Sequence, residues 1–162
     1  MNFDRRTLLA TGATAAVVLY TGMARGGEGD PRPKAPFQLS DAEWRKRLGP
    51  SAYAVLRQAA TERAFTSPLN NEHRKGIFAC AGCGQKLFDW RTKFDSHTGW
   101  PSFYRPLPKA VGTRIDRDLG DVRTEVYCSK CGGHLGHVFD DGPAPTGLRY
   151  CMNGVAMTFQ PA

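Results

Sequence analysis

Cys151 is the residue with the most chemistry to offer. Of the five cysteines it is the one outside a C-x-x-C pair. It lies in the stretch from Gly133 to Gly154, which also holds His134 and His137. A thiol nucleophile needs a proton donor or acceptor beside it, and imidazole serves near neutral pH. Gly142-Pro143-Ala144-Pro145 with Gly147 reads as a tight turn able to fold Cys151 back towards the histidines. On an extended strand, residues two apart share a face. Arg149, Cys151 and Asn153 are therefore expected to point one way, and Tyr150 and Met152 the other. A thiol with a fixed cation and an amide on its own face is a plausible reactive arrangement. The competing reading is that a lone cysteine is more often an inert small hydrophobe.

The other cysteines form two pairs, Cys80-Ala81-Gly82-Cys83 and Cys128-Ser129-Lys130-Cys131, with Gly84 following one and Gly132-Gly133 the other. Glycine lets the backbone turn so that both sulfurs of a pair reach one point. Two such knuckles bring four soft thiolates into a tetrahedron, which suits a structural zinc ion. A filled four-cysteine shell leaves no open position, so no metal catalysis is expected there. The redox alternative, each pair closing as a disulfide, belongs to an oxidising compartment.

Several elements must position these groups. Ser40-Asp41-Ala42-Glu43 has the form of a capping box and predicts a helix that buries Trp44 and Leu48. Gly49 ends it, and Pro50 suits the first turn of a second helix to about Ala60, with Tyr53, Leu56 and Ala60 on its inner face. From Ile77 the pattern changes to short strands: 77–79, 86–88, 113–116, 123–127 and a last one in which Val155, Met157 and Phe159 alternate. Asp118-Leu119-Gly120 reads as the hairpin connection between the third and fourth. The expected fold is mainly β within the α+β class, with two short N-terminal helices on a largely antiparallel domain.

At 162 residues the chain holds one domain with appendages. Residues 1–24 read as a twin-arginine-like export signal: Arg5-Arg6, then a charge-free apolar stretch with small residues before a cleavage point after Ala24. An uncleaved N-terminal anchor is the alternative. Residues 25–36 are a Gly/Pro linker, and the folded domain is expected at 37–162. Export of a folded protein would let the cysteines take zinc before they meet the periplasm. The net charge of +7 comes from 22 basic and 15 acidic residues without a run of five or more Lys and Arg, so nucleic-acid binding is weakly supported. A non-catalytic zinc-knuckle binding module remains the alternative class. It predicts that Cys151→Ser changes nothing and that binding weakens steeply with salt. A peroxidase-like thiol enzyme is a third.

Five motifs in order carry a resemblance. They are C-x-x-C, Gly99-Trp100-Pro101-Ser102-Phe103, C-x-x-C, His134-Leu135-Gly136-His137-Val138-Phe139 and Arg149-Tyr150-Cys151-Met152-Asn153. Together, over about Leu39 to Phe159, they resemble the B-type methionine sulfoxide reductases. The resemblance implies a sandwich or barrel-like core of two antiparallel sheets, with the zinc site away from the active site. It implies reduction of the R epimer of methionine sulfoxide in proteins and peptides. Carried over by position, Cys151 is the nucleophile, and His134 and His137 hold and protonate the sulfoxide oxygen. Trp100 receives the substrate methyl group, Asn153 and Arg149 support the site, and Phe139 lines it. Cys80, Cys83, Cys128 and Cys131 are the zinc ligands. Many relatives carry a second, resolving cysteine where this chain has Thr98, and usually a glycine where it has His97. A one-cysteine enzyme is therefore expected, its sulfenic acid reduced by an outside, thioredoxin-like thiol. His73 and His97 are read as surface or loop residues, and the protein as a monomer.

Overall fold

In a computed structural model, residues 34–117 and 121–162 are described. The expected leader, most of the linker and the Asp118–Gly120 connection lie outside them. Helix α1 spans Asp41–Arg47 and helix α2 spans Pro50–Gln58. The capping box forms in full: Glu43 N–H donates to Ser40 Oγ at 3.3 Å, and Ser40 N–H donates to Glu43 Oε2 at 2.8 Å. The second helix stops short of Ala60 because Ala59 takes a left-handed conformation, φ 56°. Trp44, Leu48, Tyr53, Val55 and Leu56 are buried, so the helices present one apolar face to the sheets.

Nine strands follow among the described residues. They are β1 (Gly76–Cys80), β2 (Lys86–Asp89), β3 (Lys93–Phe94), β4 (Ser102–Phe103), β5 (Val111–Asp116), β6 (Arg123–Cys128), β7 (His134–Phe139), β8 (Arg149–Met152) and β9 (Met157–Pro161). Among the described residues they make two antiparallel sheets. One has three strands in the order β2-β1-β9, and the other has six in the order β3-β4-β8-β7-β6-β5. The larger sheet keeps two open edges, β3 and β5, so it does not close into a barrel. Val155 belongs to a 3-10 turn, Gly154–Ala156, instead of the last strand. The core between the layers is aromatic. Phe88 stacks on Phe103 with ring centroids 4.3 Å apart, and Phe78 meets Phe103 edge-on at 4.9 Å.

Two features of this layout position the site. The Gly142–Gly147 turn closes on itself, with Gly142 N–H donating to the Gly147 carbonyl at 2.9 Å. It returns β8 along β7, and in that register His137 faces Cys151. On its other side β8 pairs with the short β4, where Ser102 faces Cys151. Cys151 is therefore held between two strands.

Candidate active site and metal centre

Cys151 opens onto a cavity of about 130 Å³ whose wall includes Trp100, His137, Phe139, Asn153 and Arg123. Cys151 itself is half-buried and not in a disulfide. The indole of Trp100 is fixed by its Nε1–H, which donates to the Glu62 carbonyl at 3.1 Å. Asn153 is buried. Its Nδ2 donates to the Leu135 carbonyl at 3.0 Å, and its Oδ1 accepts from Glu62 N–H at 2.9 Å. The Glu62 carboxylate accepts in turn from the N–H groups of Gly154 and Val155. One loop residue thus ties the tryptophan, the asparagine and the end of β8 together.

The two histidines each rest on a buried carboxylate. His134 Nδ1 is 2.7 Å from Glu125 Oε1, and His137 Nε2 is 2.7 Å from Asp116 Oδ2. Each carboxylate also meets an arginine: Arg114 pairs with Glu125, and Arg123 with Asp116 at 3.2 Å. A carboxylate accepts only, so it fixes the proton on the ring nitrogen that faces it. The two imidazoles are 5.4 Å apart. Burial pushes His137 below the usual imidazole range, and the hydrogen bond to Asp116 only partly offsets this. His134 is 2% exposed, and its Nε2 has no hydrogen-bond partner. A buried ring nitrogen left open in this way is costly unless something polar meets it. His134 lies in an adjoining cavity of about 180 Å³, which shares Thr61, Arg123 and His137 with the first.

Of the remaining expected site residues, Phe139 lies in the cavity wall and Arg149 stands beside it. The Arg149 guanidinium pairs with Asp141 at 2.7 and 2.8 Å, lies 4.3 Å from the Phe139 ring centroid, and also interacts with Cys151. His73 and His97 are exposed. Sequence reasoning missed Glu62, Asp116, Arg123 and Glu125. The last three carried a signal, since they belong to the charge alternation of β5 and β6. Glu62 sits in an irregular segment that offers none.

The four paired cysteines converge, buried, with sulfurs all within 4.8 Å of one another. The knuckles repeat one turn. Gly84 N–H donates to the Cys80 carbonyl at 2.9 Å, and Gly132 N–H to the Cys128 carbonyl at 2.8 Å. Both glycines are left-handed, at φ 71° and 69°, where a side chain would be strained. Cys80 and Cys131 sulfurs lie 3.7 Å apart, and Cys83 and Cys128 sulfurs 3.6 Å. A regular tetrahedron of thiolates at about 2.3 Å from a metal has edges of about 3.8 Å, so the arrangement fits a tetrahedral ion. These spacings are far too long for disulfides. Contact with Cys128 pushes the Cys80 thiol well up and pulls the Cys83 thiol well down. A divalent cation would let all four ionise together. Arg57 of α2 donates to the Cys131 carbonyl at 3.1 Å, which fastens the second knuckle to the helix ahead of β7.

Residues 48–161 match the SelR domain family. The chain is similar to peptide methionine sulfoxide reductase MsrB of Agrobacterium fabrum, with 54% identity over 75% of this chain and 91% of the relative. MsrB of Leifsonia xyli subsp. xyli is 54% identical over 79% of this chain and 95% of its own length. MsrB of Methanosarcina barkeri is 52% identical over 76% and 87%.

Proposed function

The chain belongs to the SelR-domain family of B-type methionine sulfoxide reductases, and we propose that it reduces the R epimer of methionine sulfoxide in oxidised proteins and peptides through Cys151. The observation that carries this reading is the single cavity onto which Cys151, His137 and Trp100 all open. A sulfoxide oxygen is a poor leaving group, so it must be protonated as its sulfur is attacked. Cys151 supplies the sulfur nucleophile. His137, with its ring nitrogen on Asp116, and His134, with Nε2 uncommitted, supply the imidazoles that hold the oxygen and deliver hydrogen. The indole face of Trp100 receives the methyl group. A chiral sulfur is distinguished when methyl, oxygen and nucleophile each have a fixed place, and in this reading the Trp100 face, the imidazoles and Cys151 supply the three.

The reaction balances without a metal-bound step. The Cys151 thiol and the sulfoxide give a sulfenic acid on Cys151 and the free thioether, the oxygen passing from substrate to enzyme. An outside thiol then condenses with the sulfenic acid to release water and form a mixed disulfide. A second thiol frees Cys151. A thioredoxin-like protein suits both steps, because the other four cysteines are gathered in the cluster and Thr98 stands where a resolving cysteine would.

We assign zinc to the Cys80, Cys83, Cys128 and Cys131 cluster, on soft thiolate chemistry and tetrahedral spacing. Its contribution there is structural, clasping the β1–β2 and β6–β7 turns. Export by the twin-arginine route and a monomeric state complete the proposal, the first supported by Arg5-Arg6 ahead of an apolar stretch. The test is a stereospecific assay with separate R and S sulfoxides and several thiol donors. The R epimer should turn over, and Cys151→Ser should abolish turnover with the fold unchanged. Preference for the S epimer, or full activity in the serine variant, would overturn the reading.

A further inference from the structure

Thr98 Oγ1 lies 3.7 Å from the Cys151 sulfur. It is the first of three hydroxyls in a row. Thr98 Oγ1 is 2.8 Å from Ser96 Oγ, and Ser96 Oγ is 2.7 Å from Ser102 Oγ. Ser102 Oγ donates to the Trp100 carbonyl at 3.1 Å. Ser102 is fully buried and faces Cys151 across the β4–β8 pair. The row thus leaves the sulfur and ends on the backbone of the residue whose indole walls the same cavity.

A hydroxyl carries one proton and can accept others. Ser102 commits its proton to the Trp100 carbonyl. Ser96 must then donate to Ser102, and Thr98 to Ser96. Thr98 has no proton left for Cys151, so in this orientation the sulfur is the donor, as S–H. When Cys151 loses its proton the sulfur can only accept. The contact then persists only if the row reverses: Thr98 donates to the sulfur, Ser96 to Thr98 and Ser102 to Ser96, and the Trp100 carbonyl is released. No proton passes between residues in this reversal, because each hydroxyl only rotates. The proton of Cys151 leaves to solvent or to imidazole.

We propose that Thr98, Ser96 and Ser102 form a reversible hydroxyl row whose second orientation stabilises the thiolate of Cys151, making Thr98 a further residue of the catalytic site. The inference rests on Cys151 being the reactive sulfur. The charges that also face Cys151 are Arg149 of β8, held by Asp141; His137 of β7, held by Asp116; and Arg123 of β6 in the cavity wall. Asp95 and His97, which flank Ser96 in sequence, pair with each other at 3.3 Å on the surface. All of these stay in place when Thr98 or Ser96 is changed.

The test is the rate of Cys151 alkylation by iodoacetamide against pH in the metal-bearing protein, with the modified residue mapped by mass spectrometry. Valine keeps the branched shape of threonine without its hydroxyl. In Thr98→Val the pH of half-maximal alkylation should rise by about one unit, the effect of losing one hydrogen bond to a charged group. Thr98→Ser should match the wild type. Ser96→Ala, which leaves Thr98 in place, should show a smaller rise and tests the row even where Thr98→Val fails to fold. Equal midpoints in wild type and Thr98→Val would overturn the proposal, as would an unshifted Ser96→Ala. Alkylation needs no sulfoxide, so failure of turnover alone would count against the proposed function and not against the row.

Discussion

Gly136 and Cys151 approach so closely across the β7–β8 pair that a Cβ on Gly136 would stand 2.1 Å from the Cys151 carbonyl oxygen. The same pair of strands sets Cys151 opposite His137. Glycine at 136 is therefore what lets Cys151 and the His137 imidazole share a wall. Gly136→Ala is expected to cost about 1–3 kcal/mol by overpacking. It should also lower kcat/KM by about 100-fold in the protein that remains folded, because small displacements of reacting groups are that costly. Denaturant melts and initial rates check both. Gly49→Ala, with nothing within 4 Å of the added carbon, serves as the control and should leave the rate unchanged.

Burial holds His137 below the ordinary imidazole value of 6.5. The unfolded chain therefore binds a proton there at a higher pH than the folded one does. The stability linked to this group is present above the unfolded value and is lost as pH falls from 6.5 towards the folded value. The melting temperature should decline over that interval, and His137→Asn should flatten that part of the profile. An identical decline in the variant would remove His137 as its source.

Metal removal should act on the fold and not on the reaction. Structural zinc in small domains contributes about 10–16 kcal/mol of apparent binding energy, which is comparable to or larger than the whole stability of a typical domain. Chelation under denaturant should release one zinc ion per chain and unfold the protein cooperatively, and Cys131→Ser should abolish retention of the metal. A chelated protein with an unchanged melt would argue that the sulfurs do not hold a structural ion.

Much of this arrangement is legible in the chain, for local reasons. The capping box at Ser40 marks the start of α1 because both of its bonds lie within a few residues. The C-x-x-C knuckles are legible because each turn is closed by its own glycine. The alternation in β5 and β6 shows strands, but not that Asp116 and Glu125 face inward. That depends on pairing with β7, whose glycine-interrupted sequence hides it. The two-residue β4 is a strand only because β3 and β8 pair with it on either side. Glu62 acts partly through its backbone N–H and carbonyl, which no side-chain pattern reveals. Arg149 shares the face of Cys151 as two-residue spacing requires, but its guanidinium is paired with Asp141 and set over the Phe139 ring as well as facing the sulfur. A long side chain goes to the charge and ring within reach, and spacing fixes only where it sets out.

The most direct measurement is a single turnover of the reduced protein with methionine-R-sulfoxide and no thiol donor, followed by mass spectrometry of the peptide that contains Cys151. The account predicts one added oxygen on Cys151, with the four clustered cysteines unmodified and one thioether formed per chain. A disulfide between Cys151 and any other cysteine of the chain, or thioether formed with no change at Cys151, would contradict it.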